Sequence, residues 1–286
     1  MNNLAKSFFI SLYVTALALV SAHAAYGLYT IGFDSVWTGV AVAIWPALAF
    51  FARLFISPIA RTSSNLNSLL VLALIGLGLG VILMSGPEQQ SIFYRYNCAL
   101  GLGGLLLYVY WYSRLGRAAN QTLDTGNTLP NIVLYASDGK PWEVESIRGS
   151  RALILFFRGN WCPLCMAQIK EISGLYQKLE SMGVKVYLVS PQPDKHTASL
   201  AAKFDVNFNF MVDKNGQAAK ILGIDSKQGT PKGMEALGYE SDTVLPTAIL
   251  LNAKGAIIYT DQTDNYRVRP EPQTFIDIFE AHTQNA

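Results

Sequence analysis

The chain has 286 residues, of which 51% are hydrophobic and only 15% charged, with a mean hydropathy of +0.25. Intrinsically disordered chains are polar and rich in charge, so this composition excludes a disordered protein. The net charge of +2, with no basic stripe, gives no reason to expect nucleic acid as a partner. Three cysteines over this length exclude a disulfide scaffold.

The charged residues are distributed unevenly along the chain. Of 22 Lys and Arg and 20 Asp and Glu, residues 1–113 hold six, namely Lys6, Asp34, Arg53, Arg61, Glu88 and Arg95. The remainder has the charge content of an ordinary globular domain. The sequence therefore predicts a transmembrane helical region over 1–113, a linker over 114–127 and an α/β domain over 128–286.

Four apolar stretches in the first region are long enough to cross a bilayer, which takes about 17–25 residues per helix. We expect spans at about 7–25, 35–52, 69–85 and 96–112. Buried helices of a soluble protein are the alternative, and four such runs in succession with almost no charge disfavour it. The glycines of the third stretch, Gly76, Gly78 and Gly80, permit close helix packing.

The first stretch has two interpretations. Lys6, an apolar run and then Ser-Ala-His-Ala fit a cleaved signal peptide and equally fit an uncleaved first span, which the three later stretches favour. With four spans, five basic residues fall on one side and Arg95 on the other; the five are Lys6, Arg53, Arg61, Arg114 and Arg117. The positive-inside rule then predicts a multi-pass protein of a bacterial-type inner membrane whose second domain is cytoplasmic, with a periplasmic location as the alternative.

Beyond residue 118 the pattern changes to short strands and helices in alternation. We expect strands at 132–135, 142–144, 152–157, 184–189, 208–212, 247–251 and 257–260. Helices are expected at 162–182, 195–204, 217–222 and 271–281. Strands that alternate with helices indicate an α/β fold around a central sheet.

The most informative motif follows the apolar strand 152–157. Cys162-Pro163-Leu164-Cys165 opens the long predicted helix, and Cys-X-X-Cys after a strand is typical of a redox-active dithiol. A helix N-terminus lowers the pKa of a thiol, and residues three apart share a helix face, so Cys162 can attack and Cys165 can resolve. Pro163 suits the first helical turn, Trp161 can shield the site, and Arg158 can add positive charge near Cys162.

Two other interpretations of the cysteine pair are open. It could be half of a zinc site, but there is no second Cys-X-X-Cys, and His196 and His282 lack ligand spacing, so we expect no metal. It could also be a structural or inert pair. Redox chemistry is favoured, with the Cys162–Cys165 disulfide in place of a cofactor.

A proline stands directly before the predicted strand 247–251. Leu245-Pro246-Thr247 resembles the segment with a cis-proline that faces the dithiol in thioredoxin-like proteins. There it leaves the neighbouring backbone free to pair with an extended substrate. The resemblance implies that Leu245, Pro246 and Thr247 position the substrate, although an edge feature of the strand is the simpler alternative.

Ordered motifs over some 150 residues carry a wider resemblance. They are Leu129-Pro130-Asn131, Asp138-Gly139-Lys140, Ile147-Arg148-Gly149, the run Phe156 to Cys165, Val189-Ser190-Pro191-Gln192, Pro246 and Asp264 to Pro270. In them the second domain resembles the thioredoxin-like superfamily, in the redoxin branch with alkyl hydroperoxide reductase and thiol-specific antioxidant proteins. The resemblance implies a thioredoxin-like fold and antioxidant oxidoreductase chemistry.

The sequence departs from that branch in three ways. Typical peroxiredoxins have Thr or Ser where this chain has Gly159, and they lack the second cysteine that is here Cys165. The buried acid that assists thioredoxins is not evident in the strand 152–157.

Cys98 stands alone in the membrane region, so the spans cannot hold an intramolecular disulfide relay and resemble an anchor or a ligand site.

These patterns favour a membrane-anchored thiol-disulfide oxidoreductase. A peroxiredoxin-like thiol peroxidase is one alternative, and a redox-sensing or assembly protein without turnover is another. The expected partners are a protein or small-molecule disulfide or a hydroperoxide, a cellular thiol reductant and the lipid bilayer.

Overall fold

The computed structural model describes residues 2–136, 138–204 and 206–284. The chain divides into two compact units. One contains residues 5–58 and 62–114, and the other contains residues 115–286 with the short segments 1–4 and 59–61. Each unit is described by itself.

The first unit is helical. Its helices are α1 (Asn2–Ile31), α2 (Val36–Ile56), α3 (Asn67–Leu83) and α4 (Gly86–Tyr112). Three of them, α1, α2 and α4, are long and apolar enough to cross a membrane, whereas α3 has 17 residues and is shorter. The expected count of four spans is therefore approximate. Within α4, Phe93–Gly103 and Tyr108–Tyr112 are π-helical.

Small residues let α2 and α3 approach closely. A Cβ atom added at Gly39 would lie 2.5 Å from the backbone nitrogen of Gly80 and 2.6 Å from the carbonyl oxygen of Gly76. Glycine is therefore required at this crossing. Gly76 and Gly80 have the packing role expected for the third stretch, whereas a Cβ atom added at Gly78 would meet nothing within 4 Å.

The second unit is built around a seven-stranded sheet. The strands are β1 (Val133–Ala136), β2 (Pro141–Glu143), β3 (Arg151–Phe156), β4 (Val184–Ser190), β5 (Asn209–Val212), β8 (Thr247–Leu251) and β9 (Ile257–Asp261). Their order is β2-β1-β5-β4-β3-β8-β9. The central strands β3, β4 and β5 are parallel, and the outer pairings are antiparallel. A separate hairpin pairs β6 (Asp225–Ser226) with β7 (Thr243–Val244).

The described residues of this unit also form five α-helices. They are α5 (Pro163–Gly174), α6 (Tyr176–Ser181), α7 (Asp194–Ala201), α8 (Gln217–Ile221) and α9 (Pro272–Gln284). The single helix expected over 162–182 is interrupted at Leu175, whose backbone (φ −104°, ψ 13°) departs from helical geometry. Helices α5 and α9 are in contact. The fold is the mixed α/β, thioredoxin-like arrangement expected from the alternation of strands and helices.

The core lies along the central strands. Residues 152–156 of β3 are all buried, because β3 lies between β4 and β8 and is covered on both faces. Leu123, from the segment predicted as a linker, is fully buried in the same core. The register places Thr247 of β8 opposite Phe156 of β3. The start of β8 therefore lies beside residues 157–162, the loop that leads from β3 to Cys162 at the start of α5 and is called the dithiol loop below.

Candidate active site

The two cysteines lie where β3 leads into α5. Cys162 is the N-cap residue of α5 with an extended backbone, and Pro163 is its first residue. Proline is favoured there because its missing N–H would have no partner in the first turn. The Met166 N–H donates to the Cys162 carbonyl at 3.1 Å and closes the first turn around Cys165. The strand, Cys-X-X-Cys and helix are thus arranged as expected.

The two sulfur atoms are adjacent and shielded from solvent. The Sγ atoms of Cys162 and Cys165 lie 2.7 Å apart, and both cysteines are free thiols. Cys162 is 2% exposed and Cys165 is fully buried. The arrangement can form an intramolecular disulfide, and only Cys162 has any surface from which a substrate could be attacked.

A buried arginine completes the site, and the sequence-based assignment missed it. Arg269 donates from Nη2 to the Cys165 sulfur at 3.4 Å and from Nη1 to the Gln168 side-chain oxygen at 2.8 Å. Its Nε donates to the Tyr266 carbonyl at 3.1 Å. Gln168 lies one turn after Cys165 on α5, so the same helix face presents both partners of the guanidinium.

These contacts decide which sulfur is ionised. Burial raises the pKa of Cys162 well above its usual value, and the adjacent Cys165 sulfur acts in the same direction. Burial also opposes ionisation of Cys165, but the Cys162 thiol and the Arg269 charge outweigh it and lower the pKa of Cys165 to about 5. These shifts favour Cys165 over Cys162 as the resting thiolate, the reverse of what the helix terminus alone implies. Desolvation outweighs the helix terminus at Cys162, so the singly protonated pair holds its proton there.

The side chains of Arg158 and Trp161, both in the dithiol loop, pack against each other. The Arg158 guanidinium lies 4.9 Å from the centre of the Trp161 ring and donates to the Gly229 carbonyl. Gly159 has φ +150°, and a Cβ atom there would lie 2.5 Å from the Trp161 indole nitrogen. This close approach explains why Gly159 replaces the Thr or Ser of typical peroxiredoxins.

A buried glutamine holds the loop in place from the neighbouring strand end. The Asn160 N–H donates to the Gln192 side-chain oxygen at 2.8 Å, and Gln192 donates to the Thr197 hydroxyl at 3.1 Å. Tyr239 donates its hydroxyl to the Asn160 side-chain oxygen. The Val189-Ser190-Pro191-Gln192 motif therefore positions the dithiol loop.

The segment Leu245-Pro246-Thr247 lies at the start of β8, as the sequence predicts. All described peptide bonds are trans, however, so the expected cis-proline at Pro246 is wrong. The chain enters this segment from the β6–β7 hairpin, and the Leu245 N–H donates to the Ile224 carbonyl at 2.8 Å. The hairpin, which the sequence did not predict, directs the backbone before Pro246.

The charge beside the sulfurs is basic and not acidic. In residues 2–136, 138–204 and 206–284, Asp213 is the only buried acid, and its two oxygens accept the Ala218 and Ala219 N–H groups at 2.8 and 2.9 Å. It caps α8 and is not part of the dithiol site. Those same residues contain no group of three or more His, Cys, Asp or Glu placed to hold a metal ion.

A dithiol at the N-terminus of a helix that follows a central strand defines a thioredoxin-like dithiol protein. Comparison with known proteins agrees. Residues 124–275, just over half of the chain, match the family described as Redoxin. The chain belongs to the Redoxin family, and with its adjacent cysteines it is a thiol-based oxidoreductase.

Three similar proteins illustrate the range of this likeness. The chain is 24% identical over 159 residues to the thiol-disulfide oxidoreductase ResA of Bacillus cereus, which covers 55% of this chain and 78% of the relative. It is 24% identical over 155 residues to bcp of Haemophilus influenzae, named as a peroxiredoxin, with 54% and 95% covered. The crystal structure of peroxidoxin BcpB from Mycobacterium tuberculosis has a TM-score of 0.46 and 13% identity, covering 56% of this chain and 97% of that one.

The contact between Arg269 and Cys165 predicts a measurable shift in thiol ionisation. In a Cys98→Ser background, Arg269→Gln removes the charge beside the sulfur and should raise the Cys165 pKa from about 5 by about 1–3 units. Thiolate absorbance at 240 nm against pH gives the midpoint. Arg148→Gln, which changes a solvent-facing arginine paired with Glu145, is the control and should leave the midpoint in place. An unchanged midpoint in Arg269→Gln would contradict the assignment.

Proposed function

We propose that the protein is a membrane-anchored thiol-disulfide oxidoreductase whose redox centre is the Cys162–Cys165 dithiol. The observation that carries this proposal is the pair of free sulfurs 2.7 Å apart at the start of α5, beside the buried Arg269. The likeness to proteins named as thiol-disulfide oxidoreductases supports it. The three long apolar helices support attachment to a bilayer.

The proposed reaction begins with a proton transfer inside the pair. The Cys162 proton passes to the Cys165 sulfur, and the Cys162 sulfur attacks one sulfur of a substrate disulfide. The substrate S–S bond breaks, and its first thiol leaves with the proton from Cys165. Arg269 stabilises the Cys165 thiolate, which attacks Cys162 and expels the second substrate sulfur as a thiolate that takes a proton from water.

The balance of this reaction identifies the partners. One turnover consumes a substrate disulfide, releases two thiols and leaves a Cys162–Cys165 disulfide. A cellular thiol reductant must then return two electrons and one proton to the pair, which restores the Cys162 thiol and the Cys165 thiolate. The dithiol itself carries the electrons, so the proposal needs no further cofactor, metal or nucleic acid.

The roles of the two cysteines predict different variant behaviour. In the full chain in detergent, Cys162→Ser should abolish reduction of a model disulfide, because no sulfur remains with access to substrate. Cys165→Ser should allow one attack and then accumulate a mixed disulfide on Cys162, visible by mass spectrometry. Cys98→Ser is the matched control and should retain the wild-type rate. Equal rates for wild type and Cys162→Ser would refute the proposal.

A specific observation favours hydroperoxide reduction as the second candidate function. The dithiol is enclosed, and burial raises the pKa of Cys162, while the charges of Arg269 and Arg158 oppose that shift and favour the thiolate that attacks a peroxide. In this reaction the Cys162 sulfur becomes a sulfenic acid while the hydroperoxide leaves as an alcohol. Cys165 then displaces water to form the disulfide. Gly159 provides no side-chain hydroxyl for a peroxide, which favours disulfide reduction.

Stopped-flow mixing distinguishes the two candidates. The pre-reduced full chain should react with hydrogen peroxide or cumene hydroperoxide no faster than a free thiol, because the loop offers no hydroxyl donor at residue 159. A Cys162-dependent rate at least a hundredfold above that of a free thiol would instead establish the peroxidase.

We also propose that the redox unit faces the cytoplasm. Lys6, Arg53 and Arg61 belong to the set of five basic residues that the four-span topology places on one side, opposite Arg95. A green fluorescent protein fused after residue 286 should therefore fluoresce, and alkaline phosphatase at the same position should be inactive. The reverse result would place the redox unit in the periplasm.

A further inference from the structure

The polar backbone groups of Leu245 and Pro246, beside the dithiol loop, already have hydrogen-bond partners. The resemblance to thioredoxin-like proteins implies that the segment Leu245-Pro246-Thr247 pairs with an extended substrate. Here the Leu245 N–H donates to the Ile224 carbonyl at 2.8 Å, and the Leu245 carbonyl accepts the Thr247 hydroxyl at 2.9 Å. Pro246 has no N–H, and its carbonyl accepts from Arg117. Each polar backbone group that a polypeptide would use already has a partner.

Arg117 is held firmly in this position. Its N–H donates to the Asp264 carboxylate at 3.0 Å, and its Nε donates to the Thr263 carbonyl at 3.2 Å. Nη1 donates to the Thr247 hydroxyl at 3.2 Å, while Nη2 donates to Pro246. The side chain is half-buried. A substrate that pairs with Pro246 must displace a guanidinium that donates three hydrogen bonds.

The charges around Arg117 keep it protonated. Burial lowers its pKa to about 10, with the nearby Arg269 charge in the same direction, whereas Asp261 and Asp264 oppose that shift. At neutral pH the guanidinium is therefore charged. Its contact with Pro246 does not depend on pH across the physiological range.

The site is also covered by the segment between β6 and β7, in addition to Arg117. Arg158 donates to the Gly229 carbonyl, and Tyr239 donates to Asn160, so the segment between β6 and β7 contacts the dithiol loop at two points. Cys162 is only 2% exposed. A folded protein or a wide peptide loop cannot reach its sulfur without moving Arg117 or this segment.

We infer that Arg117 is a specificity-determining residue that excludes extended polypeptides, and that the substrates are low-molecular-weight disulfides. This inference rests on the proposed function. A small disulfide needs no backbone pairing and has to reach only the Cys162 sulfur. Its reduction converts one R–S–S–R and the dithiol into two R–SH and the Cys162–Cys165 disulfide, so atoms and electrons balance.

A single-turnover comparison tests this inference. The pre-reduced full chain in detergent is mixed with 5,5′-dithiobis(2-nitrobenzoate) or with insulin, and Cys162–Cys165 oxidation is followed by acid quench and mass spectrometry. Each rate is divided by the rate of dithiothreitol with the same disulfide, which removes the intrinsic reactivity of the substrate. The normalised rate for the small disulfide should exceed that for insulin at least tenfold.

Variants at Arg117 then assign this preference. Arg117→Ala should raise the insulin rate at least tenfold and leave the small-disulfide rate within twofold. Arg117→Lys retains the charge but cannot donate to both Pro246 and Thr247, so it should give an intermediate gain. Arg148→Ala, a solvent-facing arginine of the same unit, is the matched control and should change neither rate. If Arg117→Ala shows no cooperative thermal unfolding and is therefore not folded, the insulin rate of Arg117→Lys relative to wild type decides the test.

Two results would overturn the inference while leaving the proposed function intact. One is a wild type that reacts equally well with both disulfides after normalisation. The other is an insulin rate in the Arg117 variants equal to that of Arg148→Ala. A wild type that is oxidised by neither disulfide would contradict the proposed function itself.

Discussion

The site depends on a positive charge buried together with two sulfurs. A guanidinium removed from water is costly unless an anion or hydrogen-bond acceptors compensate it. Arg269 is 6% exposed, and the sulfurs of Cys165 and Cys162, followed by Asp261, favour its charged form. The same interaction lowers the pKa of Cys165 to about 5 and so favours its thiolate at neutral pH. The charge of the arginine and the ionisation of the dithiol are therefore one coupled property.

This coupling gives the two cysteines different tasks. Cys162 stands at the end of the loop and keeps the shared proton, while Cys165 lies deeper and carries the charge beside Arg269. The Cys165 sulfur can take the proton of Cys162 when Cys162 attacks, so a separate buried acid is not required. Asp213, the buried acid in the described residues, is accordingly engaged in capping α8.

Much of this could be predicted from the sequence because local patterns carry it. The strand at 247–251 was predicted with its observed bounds, and the strand, Cys-X-X-Cys and proline sequence placed Cys162 and Pro163 correctly. Arg269 was not recognised as part of the site, because a loop arginine next to Pro270 has the pattern of a solvent-exposed residue. Its contact with Cys165 joins residues that are 104 positions apart in the sequence, and helix or strand periodicity cannot predict a contact over that separation. The available signal was the motif Asp264 to Pro270, whose two arginines belong to the resemblance to the redoxin branch.

Other differences have the same origin. Arg117 counted in the sequence only as one more basic residue after the last span, yet it occupies the Pro246 carbonyl through a contact 129 positions away. The β6–β7 hairpin is formed by two short pairs of residues that lack the length of a recognisable strand. Both features affect the backbone of Leu245 and Pro246, which the resemblance to thioredoxin-like proteins had predicted to be free to pair with a substrate. Arg117 donates to the Pro246 carbonyl, and the hairpin directs the chain so that the Leu245 N–H is already bonded.

The pH dependence of the reduction potential of the Cys162–Cys165 couple tests the central claim most directly. If Cys165 is a thiolate and Cys162 a thiol, reduction takes up one proton for two electrons, and the potential should fall by ~30 mV per pH unit between pH 6 and 8. Below the Cys165 pKa of about 5 the slope should double. A slope of ~60 mV per pH unit throughout the neutral range would show that both sulfurs are protonated and that Arg269 does not control the dithiol.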